Sequence, residues 1–344
     1  MKKFSILNVY QILVVIIIAT IFSSCKQESS SMPEVIYPGL NKSNDSLKAF
    51  VIKFRPQWYH QAQFAGVYVA AKKGFYKDYG IEVEIQAGGP DFPAYESIES
   101  GITDITQLFL LTALIRDSER NNLVNLLQLS QKSSLMLVAK KSRGINNISD
   151  MQHKNIGLWR TDFRELSLIF LEQNKLNMNL INVDWTINLF LHDVVEVINV
   201  MRYNEYHQIL QAGVDPDDLF IVPFSEVGLN IVEDGLYTTR EFYEQHTKEC
   251  INFAEATMDG WLYAINHQEE TLDLVLNIMQ RHHIRANRPH QAWMLKEMRE
   301  VILARPKGIG KLPEADFEYA KKLLENQNIN ASKQAYKDFM PNAH

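Results

Sequence analysis

Three consecutive side chains near the start of the sequence offer a surface for an aromatic ligand. Trp58, Tyr59 and His60 follow a strand-like run at residues 49–54 and precede a helical pattern. In open α/β sheets, ligands bind beyond the carboxyl ends of the strands, which is where this loop is expected. Stacking of a heteroaromatic ring there adds about 0.5–1.5 kcal/mol beyond its burial. The alternative is that these rings pack as a wall of the fold, and for His60 this is nearly as well supported.

Four further residues share this placement at the ends of strands. Gly88 and Gly89 follow a strand-like run at 81–85, and glycines permit a close approach of the backbone or a positive φ. Ser130 lies in a polar segment between two apolar strands, and Trp159 lies between a strand and a helix. We expect all four to contribute to the same ligand site. A tight turn, a polar hairpin loop and wall packing are the structural alternatives.

Strands and helices alternate along the first two-thirds of the chain, which predicts an α/β fold. Residues 81–85 alternate apolar and acidic side chains, as in a half-buried strand, and 64–71 carry apolar residues at helical spacing. A strand, a helix and a strand in this order form a βαβ unit with parallel strands. Other strands are predicted at 105–108, 123–129, 135–139, 155–159, 183–187, 194–203 and 219–222.

The organisation predicted from these elements is two lobes, each a mainly parallel sheet flanked by helices. The first lobe is expected to comprise residues 47–139 and 226–344, and the second lobe residues 140–225. After residue 224 the sequence predicts helices alone, at 240–266, 268–283, 289–304 and 314–327, packed back onto the first lobe.

The N-terminus carries the pattern of an exported lipoprotein. A short basic start precedes an apolar run at 12–22, and a membrane-spanning helix would need roughly 20 apolar residues. The small residues before Cys25 resemble the lipobox of bacterial lipoproteins, in which the Cys becomes the first mature residue and carries the lipid. We predict a signal peptide at 1–24, a lipidated flexible tether at 25–46, and a lipid-anchored location in the cell envelope, periplasmic or at the outer surface. An ordinary secretory signal is the alternative.

Composition excludes several classes of protein. With 46% hydrophobic and 22% charged residues among 344, the chain is not a disordered protein. Its only cysteines, Cys25 and Cys250, exclude a disulfide-stapled domain, and Cys250 is expected in the core. A net charge of -6 provides no basic field for nucleic acid. Because His282, His283 and His290 match no standard zinc pattern, we expect no metal, and we expect no cofactor.

Five segments together resemble one family. Residues 58–70 and 73–89 are similar to the opening of the thiamine-pyrimidine-synthesis-like superfamily of periplasmic binding proteins, which has an aromatic and His loop, a helix and a glycine pair. Residues 100–105, 150–157 and 256–265 are similar to its later motifs, the last of which reads ATMDGWLYAI here. The resemblance implies the type II periplasmic binding protein fold and a binder that closes two lobes on a small ligand.

The resemblance also implies residues of the site. In pyrimidine-precursor binders a Glu in the second lobe accepts from the aminopyrimidine, and Tyr203, Asn204 and Glu205 hold the matching places. A carboxylate that accepts from an exocyclic amine and a ring N–H forms a charge-assisted pair, and it would repel a sulfonate or nitrate. Gln63 lies in the matching segment at 58–70, and Gln107 follows the matching segment at 100–105. These two residues complete the predicted ligand-binding set.

We therefore expect a monomeric, lipid-anchored substrate-binding protein that serves an ABC permease and is not an enzyme. Its expected ligand is a thiamine pyrimidine precursor of the hydroxymethylpyrimidine or formylaminopyrimidine type. The sequence lacks the cysteine-rich motif of the pyrimidine-forming enzymes of the family. The alternatives are a receptor for an alkanesulfonate or other organic anion, with Arg160 and Arg202 as its cationic candidates, a pyrimidine-synthesis enzyme, and an envelope sensor of the same fold.

Overall fold

Ten β-strands form the framework of the protein. The structure is a computed structural model that describes residues 49–160, 164–184 and 186–342. The predicted signal peptide, the tether and Cys25 lie outside these residues. The strands are β1 Phe50–Arg55, β2 Ile81–Ile85, β3 Ile105–Phe109, β4 Leu123–Gln128, β5 Leu135–Lys140, β6 Asn155–Trp159, β7 Asn179–Val183, β8 Val197–Met201, β9 Leu219–Pro223 and β10 Asp234–Thr239.

Helices connect and cover these strands. The first one ends at Gly74, which adopts the left-handed conformation with a φ of 85°. Among the described residues, no helix is both long and apolar enough to cross a membrane. The helices are α1 Ala65–Lys73, α2 Phe75–Asp78, α3 Ala94–Glu99, α4 Leu110–Asp117, α5 Arg164–Gln173, α6 Asn188–Leu191, α7 Glu205–Gln211, α8 Arg240–Gln245, α9 Thr247–Asn266, α10 Gln268–Arg281, α11 Arg288–Ile302, α12 Glu314–Asn326 and α13 Tyr336–Phe339.

The strands form two five-stranded sheets with the same arrangement. The first sheet has the order β2-β1-β3-β10-β4, and the second has the order β7-β6-β8-β5-β9. In the first sheet β1 is parallel to β2 and β3, whereas β10 is antiparallel to both of its neighbours. In the second sheet β6 is parallel to β7 and β8, and β5 is antiparallel to β8 and β9. The predicted α/β fold with two flanked sheets is confirmed, and each sheet is mixed.

One strand at the centre of the first sheet was missed by the sequence analysis. The segment after residue 224 was expected to be helical throughout, but β10 lies between β3 and β4. Its sequence, DGLYTT, opens with Asp and Gly, which are depleted in strands, and its first five residues are buried. Burial on both faces removes the polar–apolar alternation by which a half-buried strand is recognised.

Three other predicted boundaries were wrong. The strand predicted at 183–187 is β7, Asn179–Val183, an edge strand in which three of the five residues are exposed. The helix predicted at 240–266 is interrupted at His246, which lies between α8 and α9 with a φ of -134°. Residues 135–139 were assigned to the first lobe, yet β5 belongs to the second sheet. A fully buried apolar strand carries no sign of which sheet it joins.

Helices α1 and α9 cross at a contact that only glycines permit. Trp261 is fully buried, and a Cβ atom on Gly66 would lie 2.2 Å from its Cδ1. A Cβ atom on Gly260 would lie 2.1 Å from the carbonyl oxygen of Gly66. Cys250 on the same helix is fully buried as predicted, and burial raises the pKa of its thiol to about 12. The crossing fixes the helical tail on the first sheet.

We predict that Gly260→Ala destabilises the protein by about 1–3 kcal/mol, because the added methyl must displace backbone at the crossing. The gain of helix propensity from Ala, up to about 1 kcal/mol, opposes this loss without cancelling it. Urea unfolding monitored by circular dichroism measures the change. Glu255→Ala, at an exposed position of the same helix, is the control. A Gly260→Ala protein as stable as the wild type would contradict the close crossing.

Candidate functional site

A cavity of about 340 Å³ lies between the strand ends of the two sheets. This volume lies within the range of small-molecule sites. Its lining comes from the β1–α1 loop, α3 and α4 on one side and from the ends of β6, β7 and β8 on the other. Seven predicted site residues line it: Trp58, Gln63, Gly89, Trp159, Tyr203, Asn204 and Glu205.

Other lining residues were not singled out as site residues from the sequence. Gln57 and Gln61 flank the aromatic loop, so their proximity to Trp58 was available as a signal. Thr112 and Arg116 line the cavity from α4, and the sequence does not show which turn of a helix reaches a ligand. The set also includes Pro90, Pro93, Ala94, Tyr95, Glu96, Leu108, Phe109, Val183, Asp184 and Met201.

Two tryptophans, one from each sheet, meet at the cavity. Trp58 follows β1 and Trp159 ends β6, and both side chains are half-buried. Their ring centroids are 5.8 Å apart with an angle of 72° between the ring planes, which is an edge-to-face contact. The two sides of the cavity are thus in contact across the space between the sheets. Together they present flat apolar surface to a ligand.

Tyr59 and the glycine pair support this wall from behind. The Tyr59 ring packs against Trp58 with centroids 5.5 Å apart and is partly exposed, outside the cavity lining. A Cβ atom on Gly89, where φ is 123°, would lie 2.7 Å from the Tyr59 ring. A Cβ atom on Gly88 would lie 2.1 Å from the carbonyl oxygen of Pro56. Gly89 therefore lines the cavity, whereas Gly88 only allows two backbone segments to pass closely.

His60 does not line the cavity. Its side chain is buried, its Nδ1 atom lies 2.8 Å from the hydroxyl of Tyr68, and its ring centroid lies 4.1 Å from that of His282. Burial, followed by the charge of His282, lowers the pKa of His60 to about 3. The structural alternative, wall packing, is what the structure shows for this residue.

Glu205 places a carboxylate in the cavity lining. The residue is 4% exposed, and its Oε2 accepts from the backbone N–H of Met201 (2.9 Å). The amide of Asn204 donates from Nδ2 to Glu205 Oε1 (2.6 Å). Burial raises the pKa of Glu205 to about 7, and these hydrogen bonds act in the opposite direction. The group therefore changes charge near neutral pH.

A second buried carboxylate, Asp234, lies behind the lining and organises it. Its Oδ1 accepts from the amides of Gln57 (2.8 Å), Gln63 (2.9 Å) and Gln107 (2.6 Å). The hydroxyl of Ser130 donates to its Oδ2 (3.4 Å) and accepts from its backbone N–H (3.2 Å). Burial raises the pKa of Asp234 to about 6. Gln107 and Ser130, predicted as ligand contacts, thus bind this carboxylate and do not line the cavity.

Gln63 carries this network across to the second sheet. Its Nε2 donates to the hydroxyl of Tyr203 (3.0 Å), which follows β8. The neighbouring Glu233 accepts from the backbone N–H groups of Ser134 (2.9 and 3.0 Å) and Leu135 (3.1 Å). These bonds join the two segments that connect the sheets. The signal missed in the sequence was an acidic pair inside the otherwise apolar run at 231–237.

The arginines of the cavity are each paired with a carboxylate of the lining. Arg116 Nη2 lies 3.2 Å from Glu96, and Arg160 Nε donates to Asp184 Oδ1 (2.8 Å). Arg202, the other cationic candidate, does not line the cavity and pairs with Glu297 (2.9 Å). Among the described residues, no cationic side chain forms a hydrogen bond or an ion pair with Glu205. The charge left over in the lining is therefore negative when Glu205 is ionised.

Within the described ranges, no group of three or more His, Cys, Asp or Glu side chains is placed to hold a metal ion. The lining of the cavity offers hydrogen bonding, apolar contact and the charge of Glu205.

The fold is that of the type II periplasmic binding proteins. The structure is similar to the periplasmic aliphatic sulphonate binding protein of Escherichia coli, with a TM-score of 0.63 and 12% identity over 85% of this chain and 99% of that one. A zinc-bound ligand-binding component of an ABC-type import system from Staphylococcus aureus is also similar, with a TM-score of 0.61 and 12% identity over 86% of this chain and 99% of that one. The periplasmic nitrate-binding protein of Synechocystis is similar with a TM-score of 0.58 and 9% identity over 82% of both chains.

The chain belongs to the NMT1/THI5 like family, whose pattern it matches over residues 61–271, more than half of its length. The resemblance found in the sequence is thereby confirmed. Comparison with curated protein sequences gives no significant match.

We predict that Glu205→Gln removes a pH-dependent part of the stability. A carboxyl group whose folded pKa is raised from 4.5 to about 7 stabilises the folded state fully below its unfolded pKa, and this contribution is lost as pH rises through 7. The free energy of unfolding of the wild type relative to Glu205→Gln should therefore fall, by up to about 3 kcal/mol, between pH 5 and pH 8.

Urea unfolding of both proteins at several pH values measures this difference, and other titrating groups cancel because both proteins carry them. Glu82→Gln, on the exposed side of β2, is the control and should give no such trend. Parallel profiles for the wild type and Glu205→Gln would show that Glu205 does not titrate with a raised pKa.

Proposed function

We propose that this chain is a lipid-anchored substrate-binding protein that closes two lobes on a thiamine pyrimidine precursor and presents it to an ABC permease. The observation that carries the proposal is the buried carboxylate of Glu205 in a cavity whose arginines are already paired. Such a cavity suits a neutral or cationic ligand that donates hydrogen bonds.

An aminopyrimidine meets these requirements. Its exocyclic amine and a protonated ring nitrogen can donate together to the carboxylate of Glu205, and charge-assisted pairs of this kind are stronger than neutral ones. Its flat ring can pack against Trp58 and Trp159, and Asn204 and Gln61 supply further polar groups in the lining. Because burial raises the pKa of Glu205 in the empty site, its proton can pass to the ring nitrogen of the bound ligand, which leaves a carboxylate paired with a protonated aminopyrimidine.

The same geometry disfavours an anion. A sulfonate or nitrate beside ionised Glu205 would be repelled with little water to screen the charges. To bind an anion, Arg116 and Arg160 would have to leave Glu96 and Asp184. The names of the sulphonate and nitrate binding relatives keep an organic-anion receptor as the second candidate.

Lobe closure is the proposed mechanism. We assign one lobe to the first sheet and one to the second, joined by the segments at 129–134 and 224–233. A ligand that touches Trp58 in one lobe and Glu205 in the other stabilises the closed arrangement, so that its binding shifts the population toward closure. A permease, or a signalling protein in the alternative of an envelope sensor, would recognise that form.

The remaining parts of the proposal are a monomeric receptor, a lipid on Cys25, a position in the cell envelope and the absence of catalysis. The sequence pattern of the N-terminus supports the lipid on Cys25 and the position in the cell envelope, and relatives named as periplasmic or as ABC import components also support that position. Conversion of the pyrimidine or formation of a new product by the purified protein would instead indicate an enzyme.

We predict that isothermal titration detects binding of hydroxymethylpyrimidine and none of taurine or nitrate. Glu205→Gln should weaken pyrimidine binding by about 10–100-fold, because an amide has one acceptor oxygen in place of two and brings an N–H toward the ligand amine. The matched control is Glu82→Gln, which should bind as the wild type does. Tight binding of taurine or nitrate without binding of the pyrimidine would refute the proposed ligand class.

For the anchor, we predict that Cys25→Ser abolishes fatty-acid labelling of the protein in a bacterial host and releases it from the membrane fraction. The reason is that the sequence offers a single thiol next to the predicted cleavage site. Cys250→Ser, in the core, should leave labelling unchanged. Equal labelling of the wild type and Cys25→Ser would rule out this attachment site.

A further inference from the structure

A histidine pair connects the helical tail to the binding site. Helix α11 is held on the first lobe, where Gln291 Oε1 accepts from the backbone N–H of Ala62 (2.7 Å). On its other side, the Nδ1 atom of His290 lies 2.9 Å from Nδ1 of His207 on α7, which follows β8 of the second sheet. Trp293 Nε1 donates to the carbonyl of Arg202 (2.9 Å) beside it. Helix α11 thus bridges the two lobes next to the cavity.

The second ring nitrogen of His290 reaches the lining of the cavity. Its Nε2 lies 3.1 Å from Oδ1 of Asn204, the residue whose Nδ2 donates to Glu205. Gln208 Nε2 also donates to this Oδ1 (2.9 Å). Because the amide oxygen faces two nitrogens and the amide nitrogen faces a carboxylate, this orientation of Asn204 satisfies every partner. His290 must then carry its hydrogen on Nε2.

The hydrogen on Nε2 of His290 determines the direction of the hydrogen bond between the two histidines. A neutral His290 has a lone pair on Nδ1, so His207 donates to it from Nδ1. The two rings are nearly coplanar, with 8° between their planes and 5.2 Å between their centroids, as a linear N–H···N bond requires. Trp293 stacks on His207 at 4.7 Å and holds that ring in place.

We propose that His290 positions Asn204 and, through it, the Glu205 carboxylate. Because His290 is bonded to His207, this positioning depends on the protonation state of the two histidines. The inference rests on the proposed role of Glu205 in ligand binding. A flipped Asn204 amide would turn an oxygen toward Glu205, so the donor on His290 selects the orientation that holds the carboxylate in place.

The pair can accept one proton but not two. A charged His207 still donates to neutral His290, whereas charging both rings sets two N–H groups against each other at 2.9 Å. Burial, followed by the charge of His207, lowers the pKa of His290 to about 4, and burial lowers the pKa of His207. Acidification should therefore break the contact between α11 and α7 and free Asn204 to turn.

Other titratable groups near the pair are largely engaged with one another. Arg202 pairs with Glu297, and Arg288 pairs with Glu269 and Asp273. Strand β8 and the helical turn Ala62–Phe64 bring no charged side chain. The titratable groups carried there by α7 and its preceding turn, α10 and α11 are Arg202, Glu205, Tyr206, Glu269, Asp273, Arg288, Lys296 and Glu297.

The first test compares donors at position 290 by titration with hydroxymethylpyrimidine at pH 7. His290→Leu removes the donor and should weaken binding about ten-fold, whereas His290→Gln retains an N–H donor and should bind within about three-fold of the wild type. His192→Gln, an exposed histidine away from the cavity, is the control. Equal affinities of His290→Leu and the wild type would overturn the positioning role.

The second test follows the affinity from pH 7 to pH 4. Protonation of Glu205 affects the wild type and His290→Gln alike, so the ratio of their affinities isolates the histidine pair. The wild type should lose about ten-fold more affinity than His290→Gln over this range. Parallel profiles would overturn the proton dependence, and this comparison remains informative if His290→Leu does not fold.

A third measurement does not need a ligand. The side-chain amide resonances of Asn204 in the nuclear magnetic resonance spectrum should shift in His207→Phe and His290→Leu at pH 5, relative to the wild type, and stay unchanged in His192→Gln. If neither the wild type nor any variant binds the pyrimidine but the Asn204 resonances shift as expected, the proposed ligand is wrong and the positioning role of His290 stands. Unchanged resonances in both variants would overturn the positioning role itself.

Discussion

The fixed point of this molecule is a carboxylate that cannot reach water. Asp234 is fully buried, and an isolated charge in that position would be prohibitively costly. Three glutamine amides from different segments therefore converge on it, and Ser130 joins through its hydroxyl. Because those segments are the aromatic loop, the first helical turn, a central strand and the connection to the second sheet, one buried charge determines how the walls of the cavity meet. Gln63 extends the arrangement to Tyr203 on the other side.

The selectivity that we propose for the cavity follows from this constraint. The same glutamines that satisfy Asp234 place polar groups behind a tryptophan wall, and the turn after β8 presents Glu205 opposite them. Arg116 and Arg160 compensate Glu96 and Asp184, which leaves Glu205 as the group that an incoming ligand must satisfy. A binding-protein fold used by sulphonate and nitrate binding relatives thus carries, in this chain, a lining that suits a hydrogen-bond donor.

Much of the fold follows from local pattern, and part of the site does not. The βαβ opening, the Gly74 cap and the order of elements up to β9 were predictable because period, caps and turn residues are local. Strand β10 was not, since a strand buried on both faces loses its alternation and begins with Asp and Gly. Trp58, Trp159 and Glu205 were found through their positions at strand ends and through a family resemblance. Asp234 was missed together with its strand, and so Gln107 and Ser130 were predicted to contact ligand although they bind Asp234.

A crystal structure of the protein with hydroxymethylpyrimidine is the most direct test of the central claim, that Glu205 recognises a donor-bearing ring in a closed cavity. We expect the pyrimidine ring to lie between the two sheets against Trp58 and Trp159, with its exocyclic amine within about 3 Å of the Glu205 carboxylate. An empty cavity at saturating pyrimidine, or an anion held there by Arg116 and Arg160 after release from Glu96 and Asp184, would contradict it.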